Sequence, residues 1–178
     1  MHSDRIRVRA ISVDDAELLH ELWSDVDTHL LTQESPYLPR SLAAVRAQIE
    51  RNAEKATDAT ANASFMAETI ADGTRIGIGG LWGVSAYEQF AHLSITLLPA
   101  ARGQGYGREL VGLLCRYGFR LRNLRRLELE TLASNTAMRK AAEANGFVLE
   151  GLQRERAYDG TGYDDLALYG LLRHEWSS

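Results

Sequence analysis

The stretch Leu93–Gly107, LSITLLPAARGQGYG, joins a strand signal to a glycine-rich turn. Apolar residues alternate with polar ones up to Leu97, which is the two-residue period of a β-strand. Pro99 ends the strand, because proline has no N–H group to donate to a neighbouring strand. The turn leads into the apolar-rich segment Arg108–Asn123, which we predict to be a long helix.

A glycine-rich turn before a helix is typical of an anion-binding site. Glycines let the backbone approach a ligand closely, and the first N–H groups of a helix have no partner within it. The helix dipole favours negative charge there, and an arginine adds a guanidinium suited to phosphate. We therefore predict that a phosphate or pyrophosphate binds at the loop made of Arg102, Gly103, Gln104, Gly105, Tyr106 and Gly107.

Two other interpretations of this turn are open. A Gly-x-Gly-x-Gly run can be only a tight turn, and it is similar to the dinucleotide-binding turn of a Rossmann domain. That turn usually opens a domain and is followed by an acidic residue about 20 residues later. Here the run lies beyond mid-chain behind Arg102, and Glu128 and Glu130 alternate on the next predicted strand. The Rossmann interpretation is therefore disfavoured.

Length and composition indicate one globular domain over residues 1–178. The chain is 45% hydrophobic and 25% charged, which is ordinary for a soluble domain. Its net charge of −4 argues against a nucleic-acid partner. No apolar run reaches the length of a membrane span and the N-terminus has no signal-peptide core, so we expect a cytoplasmic protein with no membrane partner.

Reactive cysteine and metal chemistry are not indicated. The single cysteine, Cys115, lies among leucines and reads as a small buried apolar residue rather than a nucleophile. No spacing of histidine, cysteine and acidic residues indicates a metal site.

The remaining pattern predicts the element order β-α-α-β-β-β-α-β-α-β-β. Helices are predicted over Asp14–Ser24, after a capping Ser41, and from Asn135 to Asn145-Gly146. Loops are predicted through Ser35–Pro39 and Lys55–Ala63. The strands other than the one ending at Leu97 are predicted over Arg5–Ala10, Phe65–Ile70, Arg75–Val84, Arg126–Thr131, Val148–Ala157 and Tyr163–Leu172.

This order and two motifs resemble the GCN5-related N-acetyltransferase (GNAT) family, and more closely its ribosomal-protein alanine or serine N-acetyltransferase branch. Arg102–Gly107 is similar to the family's (Gln/Arg)-x-x-Gly-x-(Gly/Ala) loop. Asn135–Phe147 is similar to its segment that begins with asparagine and ends in Gly-Phe. The tail Asp164–Tyr169 with Trp176 is also similar, whereas the first half of the chain matches only by element order.

The resemblance implies an α/β fold with a mixed sheet of about seven strands, helices on both faces and a splay between the fourth and fifth strands. It implies acetyl-CoA as co-substrate, with its pyrophosphate on the N–H groups of Gly103–Gly107. Leu97 and Leu98 would pair with the pantetheine arm and stabilise the oxyanion, and Asn135 would reach the pantetheine. The acceptor would be a primary amine, either a protein N-terminus or a small amine such as a polyamine or an antibiotic. A homodimer is left open.

The chain departs from the family at its acid–base residues. The tyrosine that many relatives use as general acid is replaced by Ala142, and the serine and glutamate of the ribosomal-protein branch are replaced by Met138 and Ala157. His92, at the start of the central strand, and Glu130, on the next strand, are the candidate bases. The alternative for His92 is a strand-end histidine wetted by solvent.

Three function classes therefore stay open. The first is an N-acetyltransferase that transfers the acetyl group directly to an amine. The second is a catalytically weak acyl-CoA-binding regulator on the same scaffold. The third is an interaction module that uses only the scaffold.

Overall fold

One mixed sheet organises the computed structural model, which describes residues 1–32, 36–55 and 61–177. The predicted loops at Ser35–Pro39 and Lys55–Ala63 lie partly outside these ranges. Within them, seven strands follow the spatial order β1-β2-β3-β4-β5-β7-β6, and the β4–β5 pair alone is parallel. The strands are β1 (Ile6–Ala10), β2 (Ala63–Thr69), β3 (Arg75–Ser85), β4 (Phe90–Leu97), β5 (Arg126–Leu132), β6 (Val148–Tyr158) and β7 (Tyr163–Leu172).

The helices lie on both faces of this sheet, as expected from the sequence. They are α1 (Ala16–Ser24), α2 (Val26–Thr32), α3 (Leu42–Lys55), α4 (Tyr106–Arg116) and α5 (Thr136–Glu143). Helices α4 and α5 cover one face with the larger apolar cluster, and α1 and α3 cover the other face around Met66. Among the described residues, no helix is long and apolar enough to cross a membrane.

Two helices differ from the sequence prediction. Helix α2 was not predicted; Asp25 begins it by accepting a hydrogen bond from the N–H of Thr28 at 2.6 Å. The helix predicted over Arg108–Asn123 begins earlier and ends in a π-helical turn, Tyr117–Leu121. The wider turn holds the fully buried Phe119, whose ring lies 5.4 Å from the ring of Trp176.

The sheet opens between β4 and β5. The two strands pair only between Phe90–His92 and Arg126–Glu128. Beyond His92, β4 continues beside β3 alone, and β5 continues to Leu132 beside β7. The mixed seven-stranded sheet with a splay between the fourth and fifth strands is thus confirmed.

Asp15 joins β1, β3 and the helical turn before α1. Its fully buried carboxylate accepts hydrogen bonds from Arg9 Nη1 and Nη2 at 2.7 and 2.8 Å and from the N–H of Ser12 at 2.9 Å. Arg75 Nη1 approaches from β3 at 3.3 Å. Burial acts to raise the pKa of Asp15, but the hydrogen bonds from Arg9 and Ser12 outweigh it and lower the pKa from 3.8 to about 2.

We expect Asp15→Asn to lower the free energy of unfolding near pH 7 by about 2 kcal/mol, because a charged hydrogen-bond network is lost. A carboxyl whose pKa is lowered by folding stabilises the protein above its unfolded pKa, and this contribution disappears as the pH falls towards its folded pKa. The difference in the free energy of unfolding between wild type and variant should therefore decrease as the pH falls from about 4 to about 2. Denaturant unfolding at several pH values checks this, with the exposed neighbour variant Asp14→Asn as control. A difference that stays constant down to about pH 2 would contradict the assignment.

Candidate active site

The open edge of β4 lies on the side away from β3. In an antiparallel pair, successive residues turn their N–H and C=O groups alternately towards and away from the partner strand. The N–H of Leu98 donates to the carbonyl of Ile76 in β3 at 2.9 Å. Leu98 is therefore not a free donor, which corrects its expected role. The N–H of Leu97 points the other way, into the gap that β5 has left.

The glycine loop follows directly at this end of β4. Gly105 is the residue before α4 and has φ +84°, a conformation that strains any other residue. No side chain caps α4. In the described part of the chain, the N–H groups of Gly103–Gly107 have no acceptor. A run of unpaired N–H groups at a helix start is the arrangement that binds phosphate.

The side chains of the loop hold it in place rather than facing outward. Arg102 Nε donates to the carbonyl of Leu97 at 3.1 Å, and its Nη2 donates to Thr28 Oγ1 in α2 at 2.6 Å. Gln104 Nε2 donates to the carbonyl of Ala100 at 2.7 Å. Arg102 therefore ties α2 to the end of β4, and the loop presents mainly its backbone.

Asn135 lies just beyond β5, across the gap from Leu97. Because β4 and β5 are parallel, their carboxyl ends meet at the same edge of the sheet. Asn135 Oδ1 caps α5 by accepting the N–H of Met138 at 3.1 Å. Its amide nitrogen has no recorded bond to other described residues.

His92 occupies the point where β4 and β5 separate. Its Nε2 lies 3.7 Å from Glu128 Oε2 and its Nδ1 lies 3.8 Å from Glu130 Oε1. The ring stacks on Trp82 with 4.3 Å between centroids, and Gly83 leaves room for it, since a Cβ there would lie 3.0 Å from His92 Cδ2. Its buried Nδ1 has no hydrogen-bond partner among the described residues.

The two candidate bases are thus brought together, beside a second carboxylate. Glu128 is held by Arg126 Nε at 2.6 Å, and Arg126 also donates from Nη1 to Glu150 Oε1 at 2.9 Å. Glu130 lies two residues further along β5 on the same face, towards the open end of the gap. The positions predicted to lack family acid–base groups, Met138, Ala142 and Ala157, are buried or partly buried in apolar clusters.

Sequence reasoning missed a cavity at this edge that is lined by two aspartates, three leucines and a serine. A space of about 280 Å³ lies between α2, the end of β5 and the β6–β7 turn, with Asp27 on one wall and Asp159 on the other. Helix α2 packs against both β4 and β5, and Leu132 at the end of β5 lines the cavity. The N–H groups of Thr161 and Gly162 donate to Asp159 at 2.8 Å and keep its pKa below the usual range. A local pattern could not reveal the cavity, because its walls are about 130 residues apart in the chain.

The family model that matches the chain is described as an acetyltransferase (GNAT) domain, and it covers residues 5–148. The chain belongs to the GNAT family. It is therefore an N-acetyltransferase, as predicted, while its branch within the family stays a prediction. An uncharacterized N-acetyltransferase, p20, of Bacillus licheniformis is 25% identical to this GNAT protein and covers 99% of this chain and 98% of its own length.

The spermidine N(1)-acetyltransferase of Vibrio cholerae is 23% identical over 98% of this chain and 96% of its own length. A crystal structure of the spermidine N-acetyltransferase from that organism, in complex with CoA and spermine, superposes with a TM-score of 0.86 at 22% identity. It covers 97% of this chain and 98% of that one. A dodecameric structure of that Vibrio enzyme is also similar, at 22% identity over 96% of this chain and 95% of that one, with a TM-score of 0.79. The likeness confirms the GNAT fold.

Cys115 lies in α4 with no exposed surface, and burial raises the pKa of its thiol to about 12. The reactive thiolate is therefore scarce near neutral pH.

We expect Cys115→Ala to keep kcat within about twofold and to cost about 1 kcal/mol of stability through lost packing. Steady-state kinetics and denaturant unfolding measure the two quantities. A folded but inactive variant, or an acetyl group trapped on Cys115 in intact-mass spectra, would contradict a purely structural role.

Proposed function

We propose that this GNAT protein transfers the acetyl group of acetyl-CoA directly to a small, positively charged primary amine at the open edge of β4. The observation that carries the proposal is the divergence of β4 and β5 after His92. This divergence leaves the N–H of Leu97 facing the gap. The unpaired N–H groups of Gly103–Gly107 follow shortly after Leu97 in the chain.

The residues present fit acetyl-CoA as the donor. The N–H groups of Gly103–Gly107 and the start of α4 hold the pyrophosphate, with Arg102 fixing the loop. The free edge of β4 near Leu97 would hold the pantetheine arm, and Asn135 would approach it from the far side of the gap. The CoA seen with the Vibrio cholerae enzyme supports this donor.

The acceptor nitrogen attacks as the neutral amine, so an ammonium group first loses one proton to solvent. The neutral amine then loses one proton as the amide forms, and the departing thiolate gains one. The amine nitrogen attacks the thioester carbonyl carbon, so that a C–N bond forms and the C–S bond breaks. The N–H of Leu97 donates to the oxyanion that develops. His92 accepts the amine proton, and the Glu130 carboxylate lies 3.8 Å from its Nδ1. The thiolate is protonated by solvent.

The acceptor side carries negative charge suited to a cation. Glu130 lies beside His92, and the adjoining cavity has Asp27 and Asp159 on opposite walls. A small amine with a second positive charge would place that charge in the cavity while its reacting nitrogen approaches His92. The relatives named for spermidine favour this class over a protein N-terminus.

An acetylation panel tests the function. We expect turnover with spermidine and spermine to exceed that with a monoamine, an aminoglycoside and Ala- or Ser-starting peptides. Asp27→Asn should raise KM for spermidine several-fold more than for the monoamine, because only the polyamine carries a further positive charge that could pair with Asp27. Tight acetyl-CoA binding with no turnover on any amine would favour the regulator instead. If acetyl-CoA does not bind, only the interaction-module hypothesis would remain.

Binding of acetyl-CoA should depend on the charge at the loop. Acetyl-CoA should raise the melting temperature of wild type, since a ligand that binds only the folded state stabilises it. Gly105→Asp should abolish this rise, because a carboxylate would lie where the phosphates bind. Gly105→Ala is the matched control: it carries the same backbone strain without the charge, and it should keep part of the rise. If the folded Asp variant binds acetyl-CoA like the Ala variant, the loop does not hold the phosphates.

The base assignment predicts a pH signature. If His92 accepts the proton, kcat should rise with pH to a plateau, and His92→Gln should flatten the rise and lower kcat about 100-fold. Acetyl-CoA affinity should not change. Glu130→Gln should also flatten the pH profile and lower kcat, but less than His92→Gln does. Glu128→Gln, on the same strand, is the variant with which it is compared. Unchanged kcat and pH profiles in the His92 and Glu130 variants would mean that neither residue is the base.

A further inference from the structure

We propose that Arg5 shields the phosphate loop from the carboxylate of Glu109 and so sets the affinity of this protein for acetyl-CoA. The inference rests on the proposed function, in which the loop holds the pyrophosphate. It concerns a residue outside both sequence motifs, just before β1.

The reason for a shield is the position of Glu109. It lies in the first turn of α4, and its N–H donates to the carbonyl of Gly105 at 3.5 Å. An acidic side chain stabilises a free helix start, but it repels a phosphate that binds at the same helix start. The Glu109 carboxylate stays ionised, because hydrogen bonds from Ser3 and Arg5 outweigh the effect of burial and lower its pKa.

Arg5 contacts both the carboxylate and the loop with one guanidinium. Its Nε donates to Glu109 Oε1 at 2.5 Å and its Nη2 pairs with the same oxygen. Its Nη1 donates to the carbonyl of Gln104 at 3.1 Å. The guanidinium also lies over the ring of Tyr106, 4.9 Å from its centroid.

The guanidinium stands close to the backbone that would meet the phosphates. A Cβ on Gly105 would lie 3.1 Å from Arg5 Nη2. The Arg5 side chain is 52% exposed although it is bonded on the protein side, so positive charge remains at the surface of the loop. Ser3 Oγ donates to Glu109 Oε2 at 2.6 Å and holds the carboxylate against α4. With Arg5 present the pair is neutral, and without it a bare carboxylate would lie one turn from the bound pyrophosphate.

Arg7 provides a matched control. It lies two residues further along the chain, in β1, its side chain is 55% exposed, and it pairs with Glu68 at 3.0 Å. It thus has the same side chain, a similar exposure and a carboxylate partner, but it does not touch the glycine loop.

The test compares two acetyl donors: acetyl-CoA, and acetyl-pantetheine, which has no phosphates. Arg5→Gln should raise KM for acetyl-CoA about tenfold and leave kcat at saturation and the KM for acetyl-pantetheine within about twofold. Arg7→Gln should change neither donor's KM. Adding Glu109→Gln to Arg5→Gln should restore most of the affinity for acetyl-CoA, because the carboxylate to be shielded is gone.

Each contrary result overturns the shield. An equal loss with both donors would mean that Arg5 only supports the fold. A double variant as weak as Arg5→Gln alone would mean that Arg5 binds the phosphates directly and does not act through Glu109. Equal KM values for the two donors in wild type would contradict the phosphate loop itself, and this proposal with it.

Discussion

The structure depends on an interruption of hydrogen bonding in the middle of its sheet. Backbone N–H and C=O groups that leave water need partners, and strand edges inside a sheet normally have them. Here β4 and β5 part after His92, so that the outward groups of β4 up to Leu97 face a gap instead of a strand. The hydrogen bond from Arg102 to Thr28 joins α2 to the end of β4 beside this gap and stabilises the opening of the gap. An extended ligand with amide groups matches such an edge, because it supplies the partners that β5 does not.

Groups that favour an anion and groups that favour a cation both border the gap. On the side of the glycine loop, the start of α4 favours an anion, and Arg5 pairs with the nearby carboxylate of Glu109. On the other side, Glu130 and the walls of the cavity at Asp27 and Asp159 favour a cation. An anionic donor and a cationic acceptor would therefore approach the gap from different directions. Proximity of the two substrates then carries much of the rate, which suits a site that lacks the family's tyrosine, serine and glutamate.

The sequence predicted the elements whose signals are local. The alternation of apolar and polar residues predicted the strands to within a few residues. Ser41 marked the start of α3, and the glycine turn marked the start of α4 to within two residues. It could not show which side of β4 is open. The open side depends on the hydrogen bond from the N–H of Leu98 to the carbonyl of Ile76. Because of this bond Leu98 is not a free donor, and the N–H of Leu97 is the one that faces the gap. Helix α2 was missed because it is short and begins with only one clear signal, Asp25. The contact between Arg5 and Gln104 joins residues 99 positions apart, and no local pattern contains that information.

Direct transfer within one complex is the central claim, and the order of substrate entry and product release tests it. Initial rates should be measured with acetyl-CoA and the best amine acceptor varied together, and the protein should be examined by intact mass after incubation with acetyl-CoA alone. The account predicts reciprocal plots that intersect and a protein that gains no acetyl group, because both substrates meet at the open edge of β4 before the C–S bond breaks. Parallel plots together with an acetylated protein would show a covalent enzyme intermediate and would contradict it.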